Sequence, residues 1–427
     1  MKKFLSLVLA LVMTMSLVTV SAGAKDFADD SKITYKEAVD VMSAAKVIDG
    51  YTDGSFNPTA TLTRGAAAKI ICNLILGPTT ASALVADAAP YSDVPTTHTF
   101  AGYIAYCQKE GIISGYADGT FRPANTLTGY AFMKMLLGAL GYDAEVEQYT
   151  GANWSINVAK RALNIGLDDD LVGDFNGVKA VTREEACLYA LNTLTADMVE
   201  YDAKTTVSTN GTTVVIAGSK AKEMVNNGNT DGKVFDKDGV MQFAEKYFDN
   251  LSVKTGSDEF ERPANVWKLK AEEIGTYTNT PDATYTKKVE VGDIYKDLGL
   301  GSKIEKKDVS VYVDGVANAS QAPVAITKGD DTNKYGDNGV LTEVFYDDDA
   351  ETVTITEINT YIGSINKTVK ATDKKDAYVV VTAEHRLSRL RAGLSTTSSR
   401  PTRSSRTTLM SCTPILCPRT RLSPLSG

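Results

Sequence analysis

Gly50-Tyr51-Thr52-Asp53-Gly54-Ser55-Phe56-Asn57-Pro58 recurs 65 residues later as Gly115-Tyr116-Ala117-Asp118-Gly119-Thr120-Phe121-Arg122-Pro123. Each copy runs on to Thr-Leu-Thr, ending at Thr63 and Thr128, and then into an amphipathic pattern. Ala67, Ile70, Ile71 and Leu74 after the first copy correspond to Phe132, Met135, Leu136 and Ala139 after the second, the i, i+3, i+4, i+7 spacing of a helix with one apolar face. A third, diverged copy runs from about Tyr149 to Thr195. Trp154 opens its first helix, Gly166-Leu167 ends it, and Val181-Thr182-Arg183-Glu184-Glu185 starts the next, with Cys187, Ala190, Leu191 and Leu194 on its face. Helix, turn-rich loop, helix is too small a unit to bury its own stripe, so the three copies are expected to pack into one helical domain. Gly77-Pro78 and Gly141 punctuate the joins.

The helix starts carry chemistry. Thr34-x-x-Glu37 and Thr182-x-x-Glu185 read as capping boxes, in which the threonine accepts a first-turn amide and the glutamate reaches back to the cap. Arg64 and Arg183 take the first helical position, where a cation opposes the helix dipole. Local stability does not select them there. A guanidinium beside unpaired helix-N-terminal amides is a seat for a carboxylate or phosphate, and that role is expected of both, against ordinary solvated charge. Gly129 stands at the equivalent place in the second copy, so its seat is expected to be weak or empty.

These marks together resemble the S-layer homology family, with its F-x-D-V opening, its G-Y-x-D-G-x-F-x-P loop and its T-R-x-E helix start. Phe27-Ala28-Asp29 and Tyr91-Ser92-Asp93-Val94 with Phe100 stand for two openings. The two loops are nearly complete, and the T-R start occurs at Thr63-Arg64 and Thr182-Arg183. The glutamate occurs only at Glu185, with Ala66 and Ala131 in its place elsewhere. The resemblance covers roughly residues 26–201. It implies three repeats, 25–78, 88–143 and 149–203, in a pseudo-threefold all-α bundle whose grooves bind a pyruvylated secondary cell-wall polysaccharide. By the same resemblance Arg64 and Arg183 pair the pyruvate carboxylate, and Trp154, with Phe100 as its counterpart, lies against sugar. Asp29 and Asp93 either accept sugar hydroxyls or cap their own backbone.

Composition sets the frame around this core. At 427 residues, 43% hydrophobic and 23% charged, the chain is globular and long enough for two or three domains. Lys2 and Lys3, an apolar run from Phe4 to about Val20 and Ala22-Gly23-Ala24 read as a signal peptide over residues 1–24. The run falls short of the roughly 20 apolar residues of a membrane span, and no later stretch is long and apolar enough to cross a bilayer. The chain is thus expected to be secreted to the cell wall or surface layer of a bacterium. Net charge is −8, with eight Arg and no acid after residue 384; the body is acidic, which argues against nucleic acid. Cys72, Cys107 and Cys187 sit far apart in apolar helical patterns and read as buried free thiols.

From about Lys204 the texture turns to Thr, Val, Asp and Gly with period-two alternation, predicting β-rich surface modules over 204–384. Asn210-Gly211 and Asp314-Gly315 are two-residue hairpin turns. A further hairpin joins Val340–Tyr346 to Thr352–Ile358 through Asp347-Asp348-Asp349, and a helix is expected at Val240–Phe248. Asn227-x-Asn229-x-Asp231-Gly232 has calcium-loop spacing but lacks the usual first Asp and last Glu, and a polar turn is the preferred reading, with no metal or cofactor expected.

Chemistry is thin: His98 is the one histidine before residue 385, and no G-x-S-x-G, P-loop or H-E-x-x-H occurs. No enzyme is therefore expected. The alternative is an anchored wall hydrolase using a carboxylate pair in the second half. Self-association in a surface layer is a further partner expectation. Residues 385–427 lose Lys, Asp, Glu and Tyr and become Ser, Thr, Arg, Pro and Leu, a basic disordered tail. A shifted reading frame is the expected origin of this segment, with a genuine tail that grips anionic wall polymer as the alternative.

Overall fold

The computed structural model describes residues 26–202, 205–209, 212–216, 220–318, 321–369 and 378–386, with backbone alone for 205–216 and 361–386. The expected signal peptide, the Asn210-Gly211 turn and the tail from residue 387 lie outside them. The described chain is mixed α and β and divides into two compact units, residues up to 255 with 265–277, and residues 256–264 with those from 278 onward.

Six helices dominate the first unit: α1 (Lys36–Ala44), α2 (Arg64–Ser82), α3 (Ala101–Lys109), α4 (Gly129–Ala139), α5 (Trp154–Asn164) and α6 (Arg183–Thr195). α2 breaks at Gly77, whose φ of 72° is non-helical, just before Pro78. All four expected face residues of α2, of α4 and of α6 are buried. Leu62, Leu127 and Val181, each two residues before a helix, close a ring of backbone hydrogen bonds. Leu62 N donates to Val181 O (2.8 Å), Val181 N to Leu127 O (2.9 Å) and Leu127 N to Leu62 O (2.9 Å). Each of these residues is buried, 2% exposed, so the ring satisfies amides that water cannot reach.

After α6 come β1 (Val199–Glu200), β2 (Thr205–Thr209), β3 (Thr212–Ile216), β4 (Lys222–Glu223), a one-turn helix α7 (Phe243–Tyr247), and β5 (Leu251–Ser257), β6 (Pro263–Leu269) and β7 (Glu272–Thr278). β2 and β3 pair with Thr209 opposite Thr212, the register of a two-residue hairpin. The expected helix over 240–248 shrinks to α7, because Val240 instead bridges Val225 in extended pairing. Phe243 and Ala244, with Val253, Trp267 and Ile274 from β5, β6 and β7, are buried in the same apolar cluster as the helices. The boundary expected at residue 203 therefore falls inside this unit. The texture changes there because the secondary structure changes, while the apolar faces of α7 and these strands share the helical core.

The second unit follows with β8 (Ala283–Tyr285), β9 (Val289–Glu290), α8 (Val291–Asp297), β10 (Val309–Val313), β11 (Val316–Ala317), β12 (Lys334–Tyr335), β13 (Val340–Asp347), β14 (Thr352–Asn359), β15 (Tyr361–Val369) and β16 (Tyr378–Arg386). Its main sheet has the order β11-β10-β14-β13-β8. β10 runs parallel to β14 and the other neighbours are antiparallel. Asp314 and Gly315 both have positive φ, 51° and 75°, the geometry of the two-residue turn expected between β10 and β11. β13 and β14 form the other expected hairpin, Val344 opposite Ile355. Both side chains are buried with Val311, Ile294 and Tyr335 in a separate core. β16 ends at Arg386, so His385 and Arg386, assigned to the tail by composition, belong to a strand.

Candidate functional site

The repeated loop folds the same way twice, and each of its residues has a physical task. Asp53 Oδ1 accepts from Ser55 N (2.9 Å) and Asp118 Oδ1 from Thr120 N (3.0 Å), closing Asx turns. Gly54 and Gly119 follow at φ 86° and 79°, where a side chain would be strained. Phe56 and Phe121 fill the core, 0% and 1% exposed. A Cβ on Gly50 would meet the Phe27 ring at 2.4 Å, and one on Gly115 the Tyr91 ring at 2.3 Å. The opening aromatic thus seats on the loop's first glycine.

Asp29 and Asp93 hold the loop from beneath. Asp29 Oδ1 and Oδ2 accept from Phe56 N (2.7 Å) and Asn57 N (2.9 Å), and Asp93 repeats this with Phe121 N and Arg122 N, both at 2.7 Å. Burial works to raise the pKa of each, yet the paired amides outweigh it and hold both carboxyls below the usual range. Both oxygens of each carboxylate thus serve the loop. Of the two expected roles the backbone one is present in altered form, the amides belonging to the loop rather than to a helix start.

The helix starts differ from expectation in one respect that matters for binding. Arg64 N donates to Asn125 O and Gly65 N to Pro123 O, both at 2.9 Å. Arg183 N and Glu184 N donate likewise to Ala60 O and Pro58 O, and Gly129 N and Tyr130 N to Lys179 O and Gly177 O. Thr63, Thr128 and Thr182 accept the third amide of each helix. The helix-N-terminal amides expected to help seat an anion are therefore already taken, each start being bonded to a loop distant in sequence.

The guanidinium groups remain. Arg64 Nε donates to Phe121 O (2.8 Å) and its Nη2 to Ser114 O (3.3 Å), with the group 4.3 Å from the Phe121 ring centre and 5.1 Å from that of Tyr116. Arg183 repeats the arrangement on the first loop: Nε to Phe56 O (2.9 Å), Nη2 to Asp49 O (2.8 Å), over Tyr51 and Phe56. Among the described residues neither arginine has a carboxylate partner. Their orientation is fixed by carbonyls and aromatic faces rather than by an ion pair.

Arg64 opens onto a cleft of about 430 Å³ that also contains Lys134, Tyr116, Tyr149 and Trp154, and no acidic side chain lines it. Trp154, from the start of α5, stands edge-on to Tyr130, and Lys134 Nζ lies 5.7 Å from the Trp154 ring centre. Partial burial lowers the pKa of Lys134. Arg64 and Trp154 thus line one cleft. Phe100 is elsewhere, packed where a Cβ on Gly65 would touch its ring at 2.4 Å. Lys134 escaped the sequence reading, although Lys69 holds the same place in the first copy, 65 residues earlier. At Gly129 the pocket is only about 70 Å³ and includes Asp174, Glu185 and Lys179, whose ammonium is paired with Glu185 at 2.9 Å.

Elsewhere, the loop with calcium-like spacing folds around a buried carboxylate. Glu245 Oε1 accepts from the amides of Gly232 (2.9 Å), Lys233 (3.1 Å) and Val234 (3.3 Å), and Asn226 donates to its Oε2 (2.7 Å). Among the described residues no group of three or more His, Cys, Asp or Glu is placed to hold a metal ion.

Comparison with known proteins agrees with the local geometry. The chain is 26% identical to a surface layer protein of Brevibacillus choshinensis over 355 residues, 74% of this chain and 31% of that protein. It is 32% identical over 106 residues to a cellulosome-anchoring protein of Acetivibrio thermocellus, 25% of this chain and 24% of the other. A Bacillus anthracis protein named as an uncharacterized cell wall amidase is 26% identical over 156 residues, 35% of this chain and 28% of its own. The chain thus spans about a third or less of each. The S-layer homology domain matches residues 26–68 and 90–129, the two stretches that hold the clamping aspartates and their loops. The chain carries S-layer homology domains at those two places.

Proposed function

We propose that residues 26–203 form a three-repeat, pseudo-threefold anchor holding a secreted surface protein non-covalently on a cell-wall polysaccharide that bears ketal-linked pyruvate. The cleft of Arg64, Lys134 and Trp154 carries this reading. Two cations without a lining acid favour a carboxylate, and an indole face beside them suits the C–H face of a sugar ring. Arg183, seated on the first loop in the same way, is the second binding position. The third copy is supported by the ring through Leu62, Leu127 and Val181 and by the matching bonds at all three helix starts. The β-rich second unit is the displayed part.

Binding of the full chain to isolated cell walls, before and after mild acid removes pyruvate, tests the proposal. Arg64→Ala and Lys134→Ala are each expected to weaken binding about tenfold, the loss of one charge-assisted contact. Arg64→Ala with Arg183→Ala is expected to abolish it. Binding that survives both depyruvylation and the double change would overturn the carboxylate seats. The match to a named amidase favours one other reading, an anchored hydrolase. That reading requires release of new amines or reducing ends from walls incubated with the chain, and the anchor requires none.

A further inference from the structure

We propose that Cys72 and Cys107 form a disulfide that staples α2 to α3. The two residues lie 35 positions apart in sequence, yet their sulfurs are 3.6 Å apart, and both side chains are fully buried. Cys72 Sγ also lies 3.5 Å from Tyr103 O, and Cys107 Sγ 3.7 Å from Ala68 O, so each thiol reaches a carbonyl on the other's helix. All three described cysteines, Cys72, Cys107 and Cys187, are buried free thiols in the structure, and Cys187, in α6, supplies the internal control. A disulfide needs its sulfurs at about 2.05 Å, so the pair must close by roughly 1.5 Å. Closing that distance calls for side-chain rotation with a small approach of α2 and α3.

The chemistry is thiol–disulfide exchange with an external disulfide. One cysteine thiolate attacks it, releasing one thiol and leaving a mixed disulfide; the other cysteine then displaces the second thiol. One Sγ–Sγ bond forms, the oxidant's S–S bond breaks, and the two electrons and two protons leave with its two thiols. An oxidising location outside the cell, which rests on the proposed function, supplies such partners. The adjacent Cys107 thiol and burial push the Cys72 thiol up, and the folded core excludes a second disulfide. Exchange therefore belongs to folding rather than to the finished molecule. The closed loop contains the break at Gly77 and the chain leading into the second S-layer homology domain. Because α2 begins at Arg64, the staple limits how far one wall of the anion cleft can part from that domain.

The full chain is unfolded, reduced, and refolded in oxidised glutathione with a little reduced glutathione, then alkylated under denaturing conditions, digested and analysed by mass spectrometry. The expected product links the Cys72 and Cys107 peptides, with Cys187 alkylated. Its thermal midpoint should lie roughly 5–10 °C above that of the chain refolded under reductant. The Cys72→Ala/Cys107→Ala variant should show no such difference between the two refolding conditions. Alkylation of both Cys72 and Cys107, pairing of either with another cysteine, or a link that lowers the midpoint would each overturn the proposal. Wall binding is not the readout, so failure of the anchor reading and failure of the staple are separable.

Discussion

Asp29 and Asp93 show how one residue type holds the backbone of a recurring loop. Each carboxylate takes two consecutive backbone amides at 2.7–2.9 Å, bonds that an asparagine can replace at only one oxygen. Asp93→Asn is expected to cost about 1–2 kcal/mol in urea unfolding, the range for a charged acceptor reached by solvent. It should reduce wall binding only as far as the second loop loosens. Because the folded pKa is depressed, this contribution is present above the unfolded value near 3.9 and fades as pH falls through the lower folded one. A profile in which Asp93→Asn loses as much stability at pH 2 as at pH 7 would contradict that sign. At this scale the sequence was informative about which positions matter and less so about what they do. The recurring Asp, Gly and Phe marked the loop, and the two arginines were visible because they oppose the helix dipole. Their bond partners were not visible, since Arg64 acts on Phe121 and Arg183 on Phe56, in copies that adjoin only after folding. Lys134 could have been found, because Lys69 repeats it on the edge of the same apolar face.

Helices and their starts were read well where a local rule decides and poorly where a distant group competes. Thr182 and Glu185 form the expected capping box, both partners lying within one turn. Thr34 and Glu37 do not: α1 begins at Lys36, Thr34 N donates to Glu184 Oε2 (2.7 Å), and Glu37 accepts from Trp267. A tryptophan 230 residues away thus outcompetes the local cap, and no pattern around Thr34 announces it. Gly129 is another case of distance deciding. The sequence pattern lacks its arginine there, and a Cβ at this position would lie 3.0 Å from the Gly177 Cα and 3.2 Å from the Phe175 ring. The helix start is thus pressed against the loop that its own amides bond. Gly129→Ala should destabilise the first unit by about 1–3 kcal/mol, the usual range for overpacking, despite alanine's better helix propensity. A urea midpoint equal to or above that of the parent chain would show that the loop gives way freely. Arginine at this position would meet the same crowding, so restoring the sequence pattern would not restore a seat.

At the scale of the whole molecule, the change of texture near residue 204 marked where helices give way to strands but not where the first compact unit ends. Trp267 and Tyr277 belong to that unit through buried polar contacts that no periodicity predicts. Trp267 Nε1 and Asn265 Nδ2 donate to Glu37 Oε1 at 2.6 and 3.1 Å, and Tyr277 Oη donates to Asp40 Oδ2 at 2.9 Å. Asp40 is also paired with Lys36, which reaches Asp30 as well. Burial, opposed by the Trp267 and Asn265 donors and reinforced by the charge of Asp170, pushes Glu37 up to about 7; burial also raises Asp40. The sign follows from proton binding. Between the unfolded value near 4.3 and the folded value near 7, the folded chain holds a proton on Glu37 that the unfolded chain has lost, so stability falls as pH rises through that window. Above about 7 both states are ionised there and the trend ends. The first unit should therefore be less stable at pH 7.5 than at pH 5, by about 1–3 kcal/mol if Glu37 dominates. Glu37→Gln keeps an acceptor for Trp267 and cannot ionise, so it should flatten the profile between pH 5 and 7.5. Urea unfolding followed by tryptophan fluorescence, with Trp154→Phe in both chains so that Trp267 alone reports on the contact, makes the measurement. A slope that persists unchanged in Glu37→Gln would assign the dependence to Asp40 and its partners Lys36 and Tyr277, and would mean that the glutamate enters the folded core already charged.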